Sequence, residues 1–363
     1  MRDIRLTVPG RRQTYDIFVG NDILLPRIHE LAHLSQYSKL FVITDKNLEK
    51  TWLKKLHQAV PGIAGEAVLP VGETAKNINT IQKIWTNMLA AGCDRKSLVL
   101  ILGGGVVGDL GAFAASTYMR GIDFVQIPTT LLAQIDSSIG GKSGFDFIGL
   151  KNIIGTFDEP KVIVIDTDTL STLPKRDLIA GFAEMIKYGL IRDAAFFDKL
   201  SKLHPEELSG YQLTELIARS VKIKVAIISK DEEEENSRKL VNFGHTIGHA
   251  IEALSWETDH PLLHGEAIAI GMVAEADLSS KIGNITADEV QRIRDAITAA
   301  GLPVKSPHFA IDRIKGKMRH DKKNEYGDVL FTLLKQIGHG VINQKVDESI
   351  VNQVIMENME AKQ

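Results

Sequence analysis

The chain has one cysteine, Cys93, in 363 residues, which rules out an internal disulfide. No uninterrupted apolar run approaches the roughly 20 residues that span a bilayer, and the opening Met1-Arg2-Asp3-Ile4-Arg5 lacks the apolar core of a secretion signal. Charge of one sign is lacking too: 43 basic against 46 acidic residues leave a net charge of −3, a balance that favours neither nucleic acid nor an anionic membrane. Internal repeats and low-complexity tracts are also missing. These absences point to a cytosolic protein. What is present, 44% hydrophobic and 25% charged residues, reads as a soluble, enzyme-like chain, longer than one ordinary core supports and so expected to form two domains.

The most chemical stretch is Val241-Asn242-Phe243-Gly244-His245-Thr246-Ile247-Gly248-His249, followed downstream by His264-Gly265-Glu266. In helical sequence, His245 and His249 at i,i+4 place two imidazoles on one face. A histidine in an apolar helix is commonly just a satisfied core residue. A pair followed by a third beside a glutamate suits a metal or phosphate site better, since neutral imidazole is the commonest transition-metal ligand. Spacing alone does not choose which of the three would bind.

Residues 1 to about 170 alternate short apolar runs with helical patterns, as βαβ units around a mostly parallel sheet do. Lys39 to Asp45 and Ser97 to Leu102 read as buried strands, and the second runs directly into Gly103-Gly104-Gly105-Val106-Val107-Gly108-Asp109. Glycines there let backbone N–H groups approach a phosphate at the start of a helix. The G-x-G-x-x-G pattern is met by Gly103, Gly105 and Gly108, but Asp123 precedes the next strand, Phe124 to Ile127, instead of ending it, so a tight strand–helix turn is the competing reading. Gly72-Glu73-Thr74-Ala75-Lys76 reads most simply as a solvated loop. Gly140-Gly141-Lys142-Ser143 looks like the end of a Walker A loop, but position 136 is Asp136 and no strand leads into it, which argues against an ATPase. Lys142, with Lys151-Asn152 nearby, still suits a phosphate. Ile163 to Asp166 reads as the last strand of this part.

From Thr172-Leu173-Pro174 onward the periodicity is helical, with Pro174 suited to a helix's first turn. We expect two domains, 1–170 and 171–363. Glu184 and Lys187, at i,i+3 among Phe182, Ala183, Met185 and Ile186, have little wet face available, and a buried Glu184 needs a partner such as a metal to stay charged. Asp231 to Glu235 reads as a solvated helix end or loop leading to Arg238, with one of its acids a candidate to face the site, and the segment after Gln336 as a short ordered closing element.

Taken in order, Gly103-Gly104-Gly105 to Asp109, Arg120-Gly121, Pro128 to Leu132, Asp136-Ser137-Ser138, Gly140-Gly141-Lys142, Lys151-Asn152, Gly181 to Gly189 and Asn242 to His245 resemble the 3-dehydroquinate synthase family of sugar-phosphate cyclases. The likeness runs from about Asp45 to Gly338. It implies an N-terminal α/β, Rossmann-like NAD-binding domain, an all-α metal-binding domain and a site in the cleft between them. It implies Zn(II) or Co(II) on Glu184, His245 and His264, leaving His249 to the substrate. NAD+ contacts carried over by position fall on Asp45, Glu73, Lys76, Gly105, Val106, Val107, Gly108, Asp109, Thr129, Thr130, Lys142, Lys151, Thr169, Leu170, Ser171 and Thr172. Substrate contacts fall on Arg120, Asp136, Asn152, Lys224, Arg238 and one of Lys322 and Lys323, with Lys142, Lys187, Glu234, Asn242 and His249 in catalytic positions.

The activity implied is conversion of 3-deoxy-D-arabino-heptulosonate 7-phosphate to 3-dehydroquinate and phosphate with recycled NAD+, in a homodimer that meets neither nucleic acid nor membrane. Two rivals share parts of this frame: another cyclase such as a 2-deoxy-scyllo-inosose synthase, and a metal-dependent polyol dehydrogenase. The chain departs from the family pattern at Asp146, Leu150, Asn236 and Leu330, none of them an implied ligand.

Overall fold

The computed structural model describes residues 3–10, 13–148, 150–229, 237–319 and 329–361. It divides into two compact units, Met1–Leu173 with Ser209–Val225, and Pro174–Leu208 with Ala226–Gln363.

The first unit is built on a seven-stranded sheet of β1 (Ile4–Val8), β2 (Tyr15–Gly20), β3 (Leu40–Asp45), β4 (Ile63–Leu69), β5 (Leu98–Gly103), β6 (Asp123–Pro128) and β9 (Val162–Asp166), in the order β1-β2-β9-β6-β5-β3-β4. All pairings are parallel except that of β1 with β2. Strand β5 is apolar throughout because both faces are covered. Leu98, Leu100 and Leu102 pack with Ile28 of α1 (Leu24–Leu31) and Leu56 of α2 (Lys54–Ala59). Val99 and Ile101 turn to the other face, with Ile84 of α3 (Ile78–Ala90) and Leu110 of α4 (Gly105–Thr117). Each such side chain contributes about 1.5–3 kcal/mol by leaving water. Cys93 belongs to this second face: it is 3% exposed, and Tyr118 donates its hydroxyl to the Cys93 carbonyl at 3.1 Å.

Chain order reverses between β3 and β5, so the crevice beyond their carboxyl ends is the fold's natural ligand position. Asp45 ends β3 and the glycine turn leaves β5 at that edge. A separate antiparallel hairpin, β7 (Lys142–Phe147) with β8 (Leu150–Phe157), carries Lys142, Lys151 and Asn152.

The second unit contains α5 (Lys175–Arg192) and α6 (Ala194–Leu200). Pro174 occupies the N-cap of α5, one place before the first-turn position expected for it. Helix α7 (Gly210–Ile228) follows, and its residues up to Val225 group with the first unit instead of with their neighbours in sequence. Side-chain contacts explain this departure from a single cut near residue 170: Thr214 and Thr167 share a hydroxyl hydrogen bond at 3.0 Å, and Lys224 Nζ donates to the Asp136 carbonyl at 2.6 Å. The chain continues through α8 (His245–Ser255), α9 (His264–Lys281), α10 (Ala287–Ala299), α11 (Ile311–Arg319), a hairpin of β10 (Phe331–Gln336) and β11 (His339–Gln344), and α12 (Glu348–Glu357). The hairpin is the exception to an otherwise helical unit, formed because Phe331, Leu333 and Leu334 are buried in its core. The segment after Gln336 is thus a strand and a ten-residue helix, more than a short closing element.

Two glycines set how closely these helices pack. A Cβ on Gly265 would lie 1.8 Å from the Ala180 carbonyl oxygen of α5, and one on Gly271 would lie 1.9 Å from the Gly244 carbonyl oxygen at the start of α8. No helix among the described residues is long and apolar enough to cross a membrane.

Candidate functional site

In the second unit, backbone packing brings four side chains from three helices together. His245, His249 and His264 each offer a ring nitrogen within 4.8 Å of the others. Glu184, fully buried on α5, presents Oε1 at 3.7 Å from both His245 Nε2 and His264 Nε2. Donors around one tetrahedral ion with bonds near 2.1 Å stand roughly 3.4 Å apart, so this set needs little adjustment to take a metal.

The outer nitrogens fit the same purpose. His245 Nδ1 lies 3.1 Å from the Phe243 carbonyl and His264 Nδ1 lies 3.1 Å from Glu252 Oε2. In the neutral rings, acceptors at both Nδ1 atoms would hold the protons there and leave the Nε2 atoms, which face Glu184, to bind a metal. Burial opposes a charge on His264, yet the Glu184 and Glu252 carboxylates outweigh it and hold the ring up to about 10. A ring charged in this way has no free Nε2 lone pair, so a metal there would take the place of its proton. Glu184 Oε2 pairs with Lys187, itself fully buried and with Nζ 5.2 Å from the Tyr188 ring centroid. The i,i+4 histidine pair, on its own, leaves out His264 and Glu184, both of which come from other helices. Arg238 and Asn242 lie on the 3-10 turn Ser237–Asn242 just before α8. Glu234 and Lys322 fall outside the described residues.

In the first unit, the glycine turn is shaped for an anion. Gly104 caps α4 with no side-chain hydrogen bond, so the first amides of the helix remain open to an acceptor. A Cβ on Gly104 would sit 2.8 Å from Thr130 Cγ2, and one on Gly105 would sit 3.1 Å from Ser137 Oγ, so glycine keeps this cradle open. The amide of Thr129 donates to the Gly103 carbonyl at 3.0 Å, placing Thr129 and Thr130 beside the turn. Val106, Val107, Gly108 and Asp109 form the following turns of α4.

Lys76 corrects the solvated-loop expectation for Gly72 to Lys76: it is 5% exposed and pairs with Asp109 at 2.6 Å. Burial pushes the Asp109 carboxyl up from its ordinary value, against the pull of Lys76. Glu73 begins the 3-10 turn just ahead. Asp45 stands at the end of β3, where burial raises its carboxyl. Thr169, Leu170, Ser171 and Thr172 occupy the 3-10 turn after β9, with the Thr172 hydroxyl accepting from Trp52 Nε1 at 3.1 Å.

Asp136 and Lys224 meet as an ion pair. Arg120 lies in the strained loop after α4, where Met119 (φ 51), Arg120 (φ 72) and Gly121 (φ 111) are all left-handed. Lys142 pairs with Phe157 at the base of its hairpin, while Asn152 lies towards the tip, within the register shift between Phe145 and Phe147. Lys151 and Asn152 are near the hairpin tip, and Asp146 Oδ1 accepts the Asn152 amide at 2.8 Å.

Two carboxylates of the second unit escaped the sequence reading. Glu252 lies on the same helical face as His245 and His249, a spacing that was there to be read. Glu275 is fully buried in an apolar helix, the same signal that singled out Glu184. A cleft of about 390 Å³ lined by Tyr37, Arg95, Lys96, Asp123 and Lys161 lies at the opposite strand ends from the glycine turn and contains none of the expected residues.

Residues 66–180 match the family model described as 3-dehydroquinate synthase N-terminal, and residues 181–324 match the one described as 3-dehydroquinate synthase C-terminal. A 3-dehydroquinate synthase of Alkaliphilus metalliredigens is 43% identical over 329 residues, covering 90% of this chain and 91% of the relative. A 2-deoxy-scyllo-inosose synthase solved with carbaglucose-6-phosphate, NAD+ and Co2+ shares the fold, with a TM-score of 0.86 at 24% identity over 98% of this chain and 100% of that one. A 2-epi-5-epi-valiolone synthase from Streptomyces hygroscopicus subsp. jinggangensis, with NAD+ and Zn2+ bound, superposes with a TM-score of 0.85 at 28% identity over 98% and 99%.

Proposed function

The chain belongs to the 3-dehydroquinate synthase family, and from that premise we propose that it converts 3-deoxy-D-arabino-heptulosonate 7-phosphate to 3-dehydroquinate and phosphate, as a carbon–oxygen lyase. The observation that carries this reading is Glu184 Oε1 at 3.7 Å from both His245 Nε2 and His264 Nε2, with each outer nitrogen held by an acceptor. On this reading the first unit binds NAD+ at the glycine turn and the second binds a divalent metal, zinc or cobalt, on Glu184, His245 and His264. When bound, these groups supply a reversible hydride acceptor and a Lewis acid.

The chain's own residues do the rest. The amides at the start of α4 would hold the dinucleotide's diphosphate, and Asp45, Glu73, Lys76, Asp109, Thr129, Thr130, Lys142, Lys151 and Thr169 to Thr172 would be its other contacts. Lys187 neutralises Glu184 Oε2, which leaves Oε1 as the ligand oxygen. Lys142, Asn152, Arg120 and His249 bind the substrate phosphate as charge-assisted partners. Lys224 and Arg238 bind its carboxylate, with Asp136 orienting Lys224 Nζ, and Asn242 adds a further substrate contact. Phosphate elimination needs no strongly perturbed protein base, since the departing phosphate can accept the proton. The setting is the cytoplasm, where NAD+ and sugar phosphates are available.

A single assay tests the reading. Purified protein with NAD+, Co2+ and the heptulosonate phosphate is expected to release phosphate in large excess over any NADH, because the hydride is returned in each turnover. Stoichiometric NADH would support a polyol dehydrogenase. Efficient cyclisation of glucose 6-phosphate, which has no carboxylate for Lys224 and Arg238 to bind, would favour the rival cyclase.

We also propose a homodimer, supported by the apolar residues that the β7–β8 hairpin leaves exposed: Phe147, Ile148, Leu150, Ile153 and Phe157. In it Arg120 serves the neighbouring subunit's phosphate. Mixing inactive Arg120→Ala with inactive Lys187→Ala protein is then expected to restore part of the activity after subunit exchange. Exchange without recovery would place Arg120 in its own subunit's site.

A further inference from the structure

We infer that Glu275 is a positioning residue of the metal centre, fixing the helix that carries His245 to the helix that carries His264; this rests on the reading of Glu184, His245 and His264 as ligands. Glu275 is fully buried within the apolar stretch Ala267 to Ala276 of α9. A carboxylate there must be matched by donors. Its Oε2 accepts the Gly244 amide at 2.6 Å and its Oε1 accepts the Ile247 amide at 3.2 Å. These are the N-cap and third residues of α8, whose own N-cap, Gly244 at φ 81, has no side chain to offer. The cap of α8 is therefore supplied by α9.

Geometry gives this cap its reach. His264 is the first residue of α9, and Gly271 and Glu275 lie two and three turns further along the same face. Gly271 admits the Gly244 carbonyl, as a Cβ there would be 1.9 Å from it, and Glu275 grips the adjoining amides. The separation of His245 from His264 is thus fixed by one rigid helix clamped to the end of another.

Charge adds a second effect. His245 and His264 each open a helix, and helix N-termini carry partial positive charge that favours anions over a metal cation. Glu275, placed at the start of α8, offsets that field where His245 begins. A neutral group of the same shape preserves the packing but loses the charge and turns an NH2 or a weaker acceptor toward the two amides.

The test compares Glu275→Gln with Ser279→Ala. Ser279 is also fully buried, one turn further on α9, and its hydroxyl bonds the Glu275 and Leu334 backbones without touching α8. Co2+ dissociation constants are measured by chelator competition, together with the visible Co2+ spectrum and Tm. Glu275→Gln is expected to weaken Co2+ binding by about 10–100-fold, the usual effect of losing a partner behind a ligand, and to alter the spectrum at saturation. Ser279→Ala is expected to lower Tm while keeping wild-type Co2+ affinity. Wild-type affinity and spectrum in Glu275→Gln, or an equal affinity loss in Ser279→Ala, overturns the inference. Should Glu275→Gln fail to fold, amide hydrogen exchange in the wild-type protein decides: Co2+ is expected to slow exchange at Gly244 and Ile247, and unchanged rates there overturn the inference. A wild-type protein indistinguishable from His245→Ala in Co2+ binding would overturn the metal reading itself and the inference with it.

Discussion

Replacing His245 with alanine is expected to leave a protein that folds but retains no stoichiometric metal after dialysis and shows no measurable phosphate release. On the proposed ligand set His245 supplies one of three donors, with Nδ1 at 3.1 Å from the Phe243 carbonyl and Nε2 at 3.7 Å from Glu184 Oε1. Loss of a group that merely supports a ligand costs about 10–100-fold in affinity, so loss of a ligand is expected to exceed ~100-fold. His264→Ala is expected to behave alike, because Glu184 Oε1 stands at 3.7 Å from both rings. His249→Ala is expected to keep its metal and lose turnover, as a substrate residue would. Metal analysis beside kcat decides the assignment. If His249→Ala lost metal while His264→Ala kept it, the i,i+4 pair would be the site and Glu184 would need another role.

Gly265→Ala is expected to damage stability and metal binding together. The added Cβ would fall 1.8 Å from the Ala180 carbonyl oxygen and 2.5 Å from its carbon, and backbone atoms have no rotamer by which to move away. Overpacking of a core commonly costs ~1–3 kcal/mol. A collision with main chain belongs beyond that range, at about 4 kcal/mol or more. Relief requires α9 to retreat from α5, which draws His264, the preceding residue, away from Glu184. Gly316→Ala provides the contrast: it lies in α11 with nothing within 4 Å of the added Cβ. There alanine is expected to be neutral or to stabilise by about 0.5–1 kcal/mol, since glycine is the poorer helix former. Thermal melts with and without Co2+ separate the cases. A Gly265→Ala protein with native Tm and metal content would mean that the two helices yield more easily than their backbones suggest.

How much of this was legible in the sequence depended on how local each cause was. Strand β5 and the glycine turn after it could be read because five apolar residues running into glycines need no distant partner to make sense. The burial of Glu184 could be read from its immediate neighbours. Lys76 could not: Gly72 to Lys76 is polar by itself, and only the pairing with Asp109, carried by a different helix, buries the ammonium. Which histidines stand against Glu184 was out of reach for the same reason. It is set by the close approach of α9 to α5 at Gly265 and to α8 at Gly271, and a glycine within a helix does not announce what it touches. The grouping of Ser209–Val225 with the first unit likewise depends on Thr214 and Lys224 finding Thr167 and Asp136. Glu252 and Glu275 are different, since helical spacing and an apolar setting were sufficient signals for both.

The lone thiol of Cys93 makes the protein its own reporter. It is 3% exposed under the α3–α4 face of the sheet, and burial pushes it up from its ordinary value, so a thiol-directed reagent must wait for that face to open. Labelling kinetics then read one opening event, with no second site to disentangle, and convert to a local free energy of opening. Because the cysteine belongs to the first unit and the histidines to the second, following its labelling rate during a metal titration distinguishes a chain that opens as one body from one whose halves open separately. A rate that slows in step with metal uptake would signal the former.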